Sequence, residues 1–374
     1  MNYKSVIVVG VDHYNTLWLV RSLGMANFEP IVIIIGSRNR RSFVSKSKYC
    51  KQVIFIDSLD NLVDKMLDLQ LSQRTVVFSS GDPVAKLLDT NYNVLSEKYI
   101  LHHCSEKQGG IVFWMDKSNM ITKAKECGLI VPITFSIDLR GDYDLSDIVY
   151  PCLLKPELSA NSSKDFFRIC NDRKDLQLTI LSIKEKCPRI IIQELIKPDF
   201  EYLLYGVSTS DEIFIPGGLH KLHTCSDTKN LGMMSISYLS KDIPSQLDSL
   251  DSVKKFIKGI GYHGVFSVEF MITKNKAYFL EVNLRNDGTC YVTTQAGVNI
   301  PAIWTAAAYG IDVKKYSRSF KWNCTYGMNE INYLKYTFKK VGIIQAVKDF
   351  YKTKAFSLWC FYDIKPFLYK FIYR

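Results

Sequence analysis

Apolar and polar positions follow two different periods along the first 110 residues. Short apolar runs alternate with stretches of helical spacing, and Gly, Asn or Asp separate them. The runs predict buried strands at SVIVVG, PIVIIIGS, QVIFID and TVVFSSGD, and the spaced stretches predict helices at NTLWLVRSLGMA and LDNLVDKMLDLQ. This alternation is typical of a parallel sheet with helices on its faces. Because Gly10-Val11-Asp12-His13 lacks the GxGxxG motif, we expect a Rossmann-like topology without NAD.

Residues 111–310 have a different pattern, with more strands and fewer helices. Asp116 can cap a helix that Gly128 ends. Strands are predicted at PCLLKP, PRIIIQELI, EYLLYGVST and SISYLS, and one helix is predicted within 289–310. GVFSVEF and YFLEVNLR are close in sequence and predict the two strands of a hairpin.

The hairpin places polar residues on one side of its second strand. In YFLEVNLRNDG the apolar set is Leu280, Val282 and Leu284, and the alternating polar set is Glu281, Asn283 and Arg285. If Lys274-Asn275-Lys276 is the loop, Glu269 of the first strand lies directly opposite Glu281. A two-residue loop would instead place the two acids on opposite faces.

Two directly opposed carboxylates repel each other, since their Cβ atoms are roughly 4.5–5.5 Å apart. A divalent cation offsets that repulsion, and Mg²⁺ prefers carboxylate, amide and phosphate oxygens. Arg285 could then hold a phosphate or a carboxylate through two parallel hydrogen bonds. A solvated outer face of a sheet edge explains the strand pattern equally well.

Size and composition indicate a globular protein of two or three domains. The chain has 374 residues, of which 47% are hydrophobic and 23% are charged. No run of about 18 uncharged apolar residues predicts a transmembrane helix, and the first residues predict a strand rather than a signal peptide. Ten scattered cysteines without a CxxC pair argue against the common zinc spacings and a disulfide framework, and they favour a reducing cytosol.

Two lysines and a strand end suggest a nucleotide site. Lys155 stands at a strand end before the loop ELSANSSKDF, whose small residues bring backbone N–H groups near phosphates. Taken alone, Lys155 is better explained as a surface lysine and Lys117 as a solvated helix residue. The strand IIIQELI ends in a polar turn that could contact adenine, with Glu201 available for ribose. An ordinary charged turn is favoured there when the segment is taken alone.

The order of these parts over residues 1–310 resembles the ATP-grasp superfamily. The resemblance rests on SSGDP, DKSNM, LLKP, IIQELI with FEY, GVFSVEF and YFLEVNLR. Within the superfamily the chain is most similar to carboxylate–amine ligases, including the D-aspartate ligases of peptidoglycan cross-bridges.

The fold that the resemblance implies is α/β, or more fully α+β and multi-domain. A Rossmann-like domain covers 1–110, an ATP-grasp domain 111–310 and a basic, aromatic C-terminal segment 311–374. The ATP-grasp domain divides into a small α/β lid at about 120–196 and a central antiparallel-sheet part at about 197–310, which holds the metal.

The resemblance also implies residue roles. The implied phosphate contacts are Lys117, Lys155, Ser162, Ser163 and Lys221; the adenine contacts are Glu194, Leu195 and Ile196; and the ribose contact is Glu201. The implied ligands of Mg²⁺, with Mn²⁺ as an alternative ion, are Glu269, Glu281 and Asn283, and Arg285 steadies an acyl phosphate. The loop ELSANSSKDF departs from the family because it contains no glycine, which puts its details in doubt rather than ATP binding.

The implied reaction is an ADP-forming ligation of a carboxylate and an amine through an acyl phosphate. The expected substrate is an amino acid or a cell-envelope precursor, of peptidoglycan or surface polysaccharide. Two alternatives stay open: a carboxylase-type or nucleotide-biosynthetic ATP-grasp enzyme, and a non-catalytic nucleotide-binding protein at the membrane face.

The formal net charge of +11 lies almost entirely in the tail. Residues 314–374 hold 13 Lys or Arg and 3 Asp or Glu, a net charge of +10, which leaves +1 for residues 1–313. Packing of this tail on the body is favoured, contact with anionic lipid comes second, and nucleic acid ranks last because no binding module accompanies it. The expected location is the cytoplasm, with the inner membrane face as an alternative.

Overall fold

Three β-sheets organise the part of the chain that the computed structural model describes, which is residues 4–36, 42–157, 167–225, 230–238, 244, 247, 250–317 and 324–372. The sheets have five, four and eight strands. The sheets follow one another along the chain. The exception is a two-residue strand, His103–Cys104, which precedes the second sheet in sequence but pairs with the third.

The first sheet is parallel and has the strand order β3-β2-β1-β4-β5. Its strands are β1 (Ser5–Val11), β2 (Glu29–Ile35), β3 (Gln52–Ile56), β4 (Thr75–Ser79) and β5 (Tyr99–Ile100). The helices of this region are α1 (Tyr14–Met25), α2 (Leu62–Asp68), α3 (Asp82–Thr90) and α4 (Tyr92–Leu95). Val8 and Val9 enter different core clusters because both faces of β1 are covered. The predicted parallel sheet is confirmed.

The second sheet is antiparallel and has the order β7-β10-β8-β9. Its strands are β7 (Thr134–Asp138), β8 (Cys152–Pro156), β9 (Arg168–Cys170) and β10 (Arg189–Glu194). The helices before and within it are α5 (Gly110–Met115), α6 (Lys117–Glu126) and α7 (Arg173–Ile183). Leu176 and Ile180 of α7 pack against Leu154 and Ile190 of the sheet, which gives this small unit its own core.

The third sheet has the order β15-β14-β11-β12-β13-β16-β17, and β6 (His103–Cys104) pairs with β14. Its other strands are β11 (Phe200–Ser208), β12 (Ile213–Cys225), β13 (Asn230–Tyr238), β14 (Tyr262–Ile272), β15 (Ala277–Asn283), β16 (Cys324–Met328) and β17 (Thr353–Phe356). Its pairs are antiparallel except for β16 and β17, which run parallel.

The remaining α-helices of the described residues follow β13 along the chain. They are α8 (Asp251–Gly259), α9 (Cys290–Ala296), α10 (Ile300–Ala308), α11 (Glu330–Asn332), α12 (Phe338–Lys352) and α13 (Lys365–Ile372). The helix predicted at NIPAIWTAAAYG is confirmed as α10, but the range 289–310 also holds α9, which Gly297 ends with a φ of 116°. Val292 and Ala302 share one core cluster with Val8 and Leu203, so α9 and α10 join the first sheet to the third.

The C-terminal segment packs on the body, as the sequence favours. Trp18 of α1 donates from Nε1 to Phe356 O (2.9 Å). Arg21, also on α1, donates to Asp363 Oδ2 (2.9 Å) and to Leu358 O (2.8 Å). No helix in the described residues combines the length and the apolar content needed to cross a membrane.

Candidate nucleotide and metal site

The hairpin of β14 and β15 brings two carboxylates into direct opposition. Glu269 pairs with Glu281, and Ser267 pairs with Asn283 two positions along. The predicted opposition of the two acids is confirmed. Their repulsion must be offset by neighbouring positive charge, which the surrounding elements supply.

The turn reaches this pairing in a different way from the one predicted. Ile272 pairs with Ala277, and continuing that register would place Leu280 opposite Glu269. A β-bulge beside Glu269 adds one residue to β15 and moves Glu281 into the opposing position. Phe279, and not Leu280, therefore lies in the core, so the predicted alternation is wrong at that point.

Asn283 and Arg285 extend the polar face, as predicted. Asn283 donates from Nδ2 to Glu269 Oε1 (3.3 Å) and to Ser267 Oγ (3.2 Å). Arg285 donates from Nη2 to Asn283 Oδ1 (3.0 Å). An acid, an amide and a guanidinium thus form one connected cluster at the end of β15.

The surroundings of Glu281 disfavour its charged form. Burial raises the pKa of this carboxyl, and the charge of Glu269 raises it further, while Lys117 and Lys155 lower it. The net pKa shift is upward. A bound cation would favour the ionised form of Glu281.

Two buried lysines lie close enough to Glu281 to interact with its charge. Lys117 is the first residue of α6, which Asp116 caps by accepting from the backbone N–H groups of Ser118 and Asn119. Lys117 is 7% exposed, so its interpretation as a solvated helix residue is wrong. Lysines are rarely buried to this extent without a function for the charge.

Lys155 of β8 is 8% exposed and donates to Gln193 Oε1 on β10 (2.9 Å). The interpretation of Lys155 as a snorkelling surface lysine is therefore also wrong. Burial lowers the pKa of Lys155 to about 8, and the positive charge of Lys117 adds to the effect. Burial likewise lowers the pKa of Lys117, against the opposing effect of Glu281. Anionic phosphates would relieve the repulsion between these two lysines.

Glu157, which the sequence analysis did not select, links the two elements that carry these lysines. Its Oε1 accepts from Ser118 of α6 and from Ser136 of β7 (2.6 Å), and its Oε2 lies 2.7 Å from Arg189. Glu157 is 1% exposed and follows Lys155 by two residues. Nothing in its sequence context distinguished it from an ordinary loop residue, because its partners come from three separate segments.

The segment predicted to hold adenine lies at the end of β10. Glu194 N donates to Ile133 O (2.8 Å), and Leu195 N donates to Pro151 O (3.1 Å). Glu194 Oε2 also accepts from Ile133 N (3.2 Å). Since these two N–H groups have protein partners, adenine recognition here would use other groups of the segment that ends at Ile196.

Lys221 connects the predicted ribose acid with a predicted metal ligand. Its Nζ lies 2.6 Å from Glu201 Oε2 and 3.3 Å from Glu269 Oε2. Burial lowers the pKa of Lys221, but the two carboxylates outweigh burial and the net pKa shift is upward. Lys221 therefore supplies part of the charge that offsets Glu269. The predicted phosphate contacts Ser162 and Ser163 lie outside the described residues.

Residues after β1 and β4 meet the end of β15, and none of them is among the site residues predicted from the sequence. Asp82, the first residue of α3, accepts from Arg285 Nε at Oδ1 (2.7 Å) and from Arg285 Nη2 at Oδ2 (3.3 Å). Asn15 donates to Ser80 O (2.7 Å) and accepts from Asn286 Nδ2 (3.0 Å). The order of the first sheet reverses between β1 and β4, where open sheets bind ligands. An acid and a proline directly after the strand in SSGDP were the available signal.

Arg285 is therefore held between acids. Burial lowers the pKa of its guanidinium, but Asp82, Asp287 at 3.8 Å and Glu281 together outweigh burial. The net pKa shift is upward, so Arg285 keeps its positive charge. A fixed positive charge beside Asn283 suits an anionic reacting group.

The predicted metal ligands fit Mg²⁺ in their chemistry, because Glu269, Glu281 and Asn283 offer only oxygen donors of the preferred kinds. The upward pKa shift of Glu281 beside Glu269 indicates a place where a cation is favourable. Within the described residues, no group of three or more His, Cys, Asp or Glu side chains could hold a metal ion. Phosphate oxygens of a nucleotide would have to complete the coordination.

A protein-family model described as "ATP-grasp in the biosynthetic pathway with Ter operon" matches residues 236–330. Among curated proteins, the formate-dependent phosphoribosylglycinamide formyltransferase of Wigglesworthia glossinidia brevipalpis is 29% identical over 155 residues. The match covers 39% of this chain and 37% of that relative. The chain thus matches little more than a third of the relative's length.

Solved structures match over most of the chain. N5-carboxyaminoimidazole synthetase from Staphylococcus aureus has a TM-score of 0.66 at 16% identity, covering 91% of this chain and 88% of that one. L-amino acid ligase from Bacillus licheniformis has a TM-score of 0.64 at 12% identity, covering 84% and 77%. The biotin carboxylase domain of 2-oxoglutarate carboxylase from Hydrogenobacter thermophilus, solved with MgADP, has a TM-score of 0.66 at 16% identity, covering 87% and 74%. These matches confirm the fold that the sequence predicts.

Proposed function

We propose that this chain is an ATP-grasp enzyme, and more exactly an ADP-forming ligase that joins a carboxylate to an amine. The observation that carries the proposal is the position of two opposed carboxylates, Glu269 and Glu281, beside two buried lysines, Lys117 and Lys155. Phosphoryl transfer depends mainly on positioning and charge neutralisation, and these four residues can supply both.

The proposed nucleotide contacts follow the elements that converge on this cluster. Lys117 and Lys155 hold the phosphates of ATP, together with Lys221 and with Ser162 and Ser163; Glu194, Leu195 and Ile196 hold adenine; and Glu201 holds ribose. The low pKa of Lys155 supports its part in this scheme, since phosphates restore the protonated form.

Glu269, Glu281 and Asn283 would hold Mg²⁺, with Mn²⁺ as an alternative ion. When bound, the ion supplies positive charge at the phosphate oxygens of ATP. Lys221 neutralises part of Glu269, so exchange of its hydrogen bonds accompanies binding of the ion. Burial and Glu269 disfavour the charge of Glu281, and a bound ion would favour it.

The proposed reaction has two steps. An oxygen of the substrate carboxylate attacks the γ-phosphorus of ATP, the bond to the β-phosphate oxygen breaks, and ADP leaves. The amine nitrogen then attacks the acyl carbon, the carbon–oxygen bond to phosphate breaks, and the nitrogen gives up a proton as phosphate leaves. Arg285, the proposed catalytic residue, stabilises the negative charge of the acyl phosphate and of the oxygen in the second step.

The carboxylate and amine substrates are proposed to bind where the ends of β1 and β4 face Arg285. Arg285 suits a carboxylate and Asp82 suits an ammonium group, so the adjacent pair complements a zwitterion. This supports an amino acid, free or carried by a cell-envelope precursor of peptidoglycan or surface polysaccharide. In this scheme residues 1–110 contribute substrate contacts, the lid at about 120–196 and residues 197–310 hold MgATP, and residues 311–374 form a separate C-terminal segment.

Nucleotide biosynthesis is the second candidate, and the comparisons favour it over an envelope role. The curated relative is named for phosphoribosylglycinamide, and one structural neighbour is an N5-carboxyaminoimidazole synthetase. Such a substrate carries a phosphate in addition to an amine. A non-catalytic nucleotide-binding protein is the alternative of a different class, and measurable turnover would exclude it.

The experiment supplies the purified chain with MgATP and two substrate panels, one of amino acids and one of phosphoribosyl amines with formate or bicarbonate. Release of both ADP and phosphate, dependent on one acid and one amine, supports the ligase. Release of AMP and pyrophosphate, or no turnover with any pair, would contradict it. The panel that gives turnover decides between the two candidate substrate classes.

The proposed location is the cytoplasm, where ATP is available. The nine cysteines that the structure describes are free thiols, which agrees with a reducing compartment.

A further inference from the structure

Helix α12 buries Ala346 and Asp349 on its inward face and exposes large apolar side chains on its outward face. Asp349 is fully buried and accepts from Tyr333 Oη (2.6 Å) and from Gln345 Nε2 (2.8 Å), and Lys352 Nζ lies 3.1 Å away. Thr353 also donates to the backbone oxygen of Asp349 (2.7 Å). These bonds fix the rotation of the helix about its axis, so its outward face is set by packing on its inward face.

The outward face carries large apolar side chains. Ile343, Ile344, Val347 and Tyr351 are 70%, 76%, 64% and 87% exposed. Residues at positions i, i+4 and i+8 lie along one side of a helix, so these four residues form a continuous row, here called the α12 stripe. A surface helix of a globular protein normally turns such residues towards the core. An exposed apolar row bordered by charge marks a contact surface.

The exposed charges that the C-terminal segment itself contributes are of one sign. The only acids of residues 314–374 are Glu330, Asp349 and Asp363. All three are buried and hydrogen-bonded inside the protein. Lys348 is exposed on the same helical run as the stripe, and the exposed Lys339 and Lys340 precede the kink at Gly342. The C-terminal segment therefore presents bases and no acid to its surroundings.

We propose that the α12 stripe docks this protein on an anionic membrane surface. The apolar side chains enter the boundary between headgroups and acyl chains, and the flanking lysines lie at the anionic headgroups. Tyr351, the most exposed of the four, has the amphipathic ring that suits this depth. The stripe shares no residue with the candidate nucleotide and metal site, so the inference does not depend on the proposed function.

A second copy of the chain fits this surface less well. A twofold interface places the same patch against itself, so the lysines of one copy would face those of the other without an acid between them. Anionic lipid supplies an apolar layer for the stripe and negative charge for the flanking lysines.

The test is sedimentation of the full chain with phosphatidylcholine vesicles that contain roughly one third phosphatidylglycerol, against vesicles of phosphatidylcholine alone. The wild type is expected to sediment with the anionic vesicles and to be released at about 0.5 M salt, where screening is strong. Ile344→Ser combined with Val347→Ser should lower the bound fraction about tenfold or more. Lys339→Glu combined with Lys340→Glu should weaken binding and reduce its salt dependence.

Leu178→Ser combined with Leu181→Ser provides the matched control, since these leucines are 58% and 62% exposed on α7 of another sheet. This control should bind like the wild type. Deletion of the tail is unsuitable because Arg21 would lose its buried partner Asp363. Equal sedimentation of all variants, or of the wild type with both vesicles, would overturn the proposal. So would a dimer in sedimentation velocity that the Ile344→Ser and Val347→Ser changes dissociate.

Discussion

Arg285 and Asp82 form a bidentate ion pair. This pair joins the end of β15, which carries Glu281 and Asn283, to the first turn of α3. The guanidinium donates from Nε and Nη2 to the two carboxylate oxygens, at 2.7 Å and 3.3 Å. Asp82 is 35% exposed on its side chain and Arg285 is 14% exposed, so both are accessible to a ligand. The orientation of Arg285 beside Asn283 thus depends on a residue about two hundred positions away in sequence.

Asp82→Asn should lower kcat/KM for the substrate carboxylate by about tenfold and leave KM for ATP within about twofold. The neutral amide keeps the size of Asp82 but weakens the charge-assisted hydrogen bonds that orient Arg285. Steady-state kinetics, with each substrate varied in turn, would measure kcat/KM for the carboxylate and KM for ATP separately. Asp60→Asn, an exposed acid of the same region, is the control and should change neither constant. An equal loss of kcat/KM for ATP and for the carboxylate would contradict a positioning role of Asp82.

Glu281→Gln should reduce turnover by about 100-fold or more and should not lower the melting temperature. The raised pKa of Glu281 means that its charged form is disfavoured in the folded protein, so a neutral amide of equal size relieves repulsion with Glu269. Phosphate release and thermal unfolding without ligands would measure the two effects. Glu212→Gln, at an exposed acid, should alter neither.

Retained turnover in Glu281→Gln would contradict the metal assignment. A lower melting temperature would contradict the proposed repulsion. The two results are independent, because the first concerns the loaded site and the second the protein alone.

The affinity for ATP should depend on pH through Lys155. Its pKa of about 8 lies below the ordinary lysine value, so free enzyme loses this charge as the pH rises past 8. KM for ATP should then rise by up to about tenfold per pH unit, while kcat at saturating ATP changes little because bound phosphates restore the proton. Constant KM for ATP up to pH about 9.5 would count against phosphate binding by Lys155.

The lowered pKa of Lys155 also makes the stability of the fold depend on pH. Stability rises with pH, whereas the affinity for ATP falls. Between pH 8 and the ordinary pKa of about 10.4, the unfolded chain holds a proton on Lys155 that the folded chain has released. The contribution of Lys155 to the free energy of unfolding therefore rises with pH in that window. Its effect on ATP binding falls over the same range.

Local pattern was sufficient to predict the opposed acids, but the bulge that creates their pairing was not predictable. The alternation around Glu281 identified the polar face correctly. The turn after Ile272 sets one register, and the bulge at Leu280 shifts it by one residue while Phe279 takes the core position. Two local errors cancelled, because the loop is one residue shorter than predicted and the bulge adds one residue to β15.

The buried lysines and the crevice residues show where local sequence stops being informative. Lys117 and Lys155 resemble solvated lysines in their own segments, and their burial results from α6, β8 and β15 meeting in space. Glu157 and Asp82 act on residues of distant segments, so no spacing rule identifies them. The order of motifs over residues 1–310 predicted the fold, because that order reflects relationships between distant segments.

The tail also contains a testable stabilising contact, between Arg21 of α1 and Asp363. Arg21 is fully buried and donates to Asp363 and to the carbonyl oxygen of Leu358, while Ser47 Oγ donates to the same carboxylate (2.8 Å). Asp363→Ala should lower the free energy of unfolding by about 3–5 kcal/mol, because a buried guanidinium would lose its counter-charge. Asp363→Asn should lose less, since it keeps hydrogen-bond acceptors. Urea unfolding would measure the free energy of unfolding of both variants. Asp57→Ala, at an exposed acid, is the control and should stay within about 0.5 kcal/mol of wild type. Equal stability of Asp363→Ala and wild type would show that the Arg21–Asp363 pair does not stabilise the packing of the tail on the body.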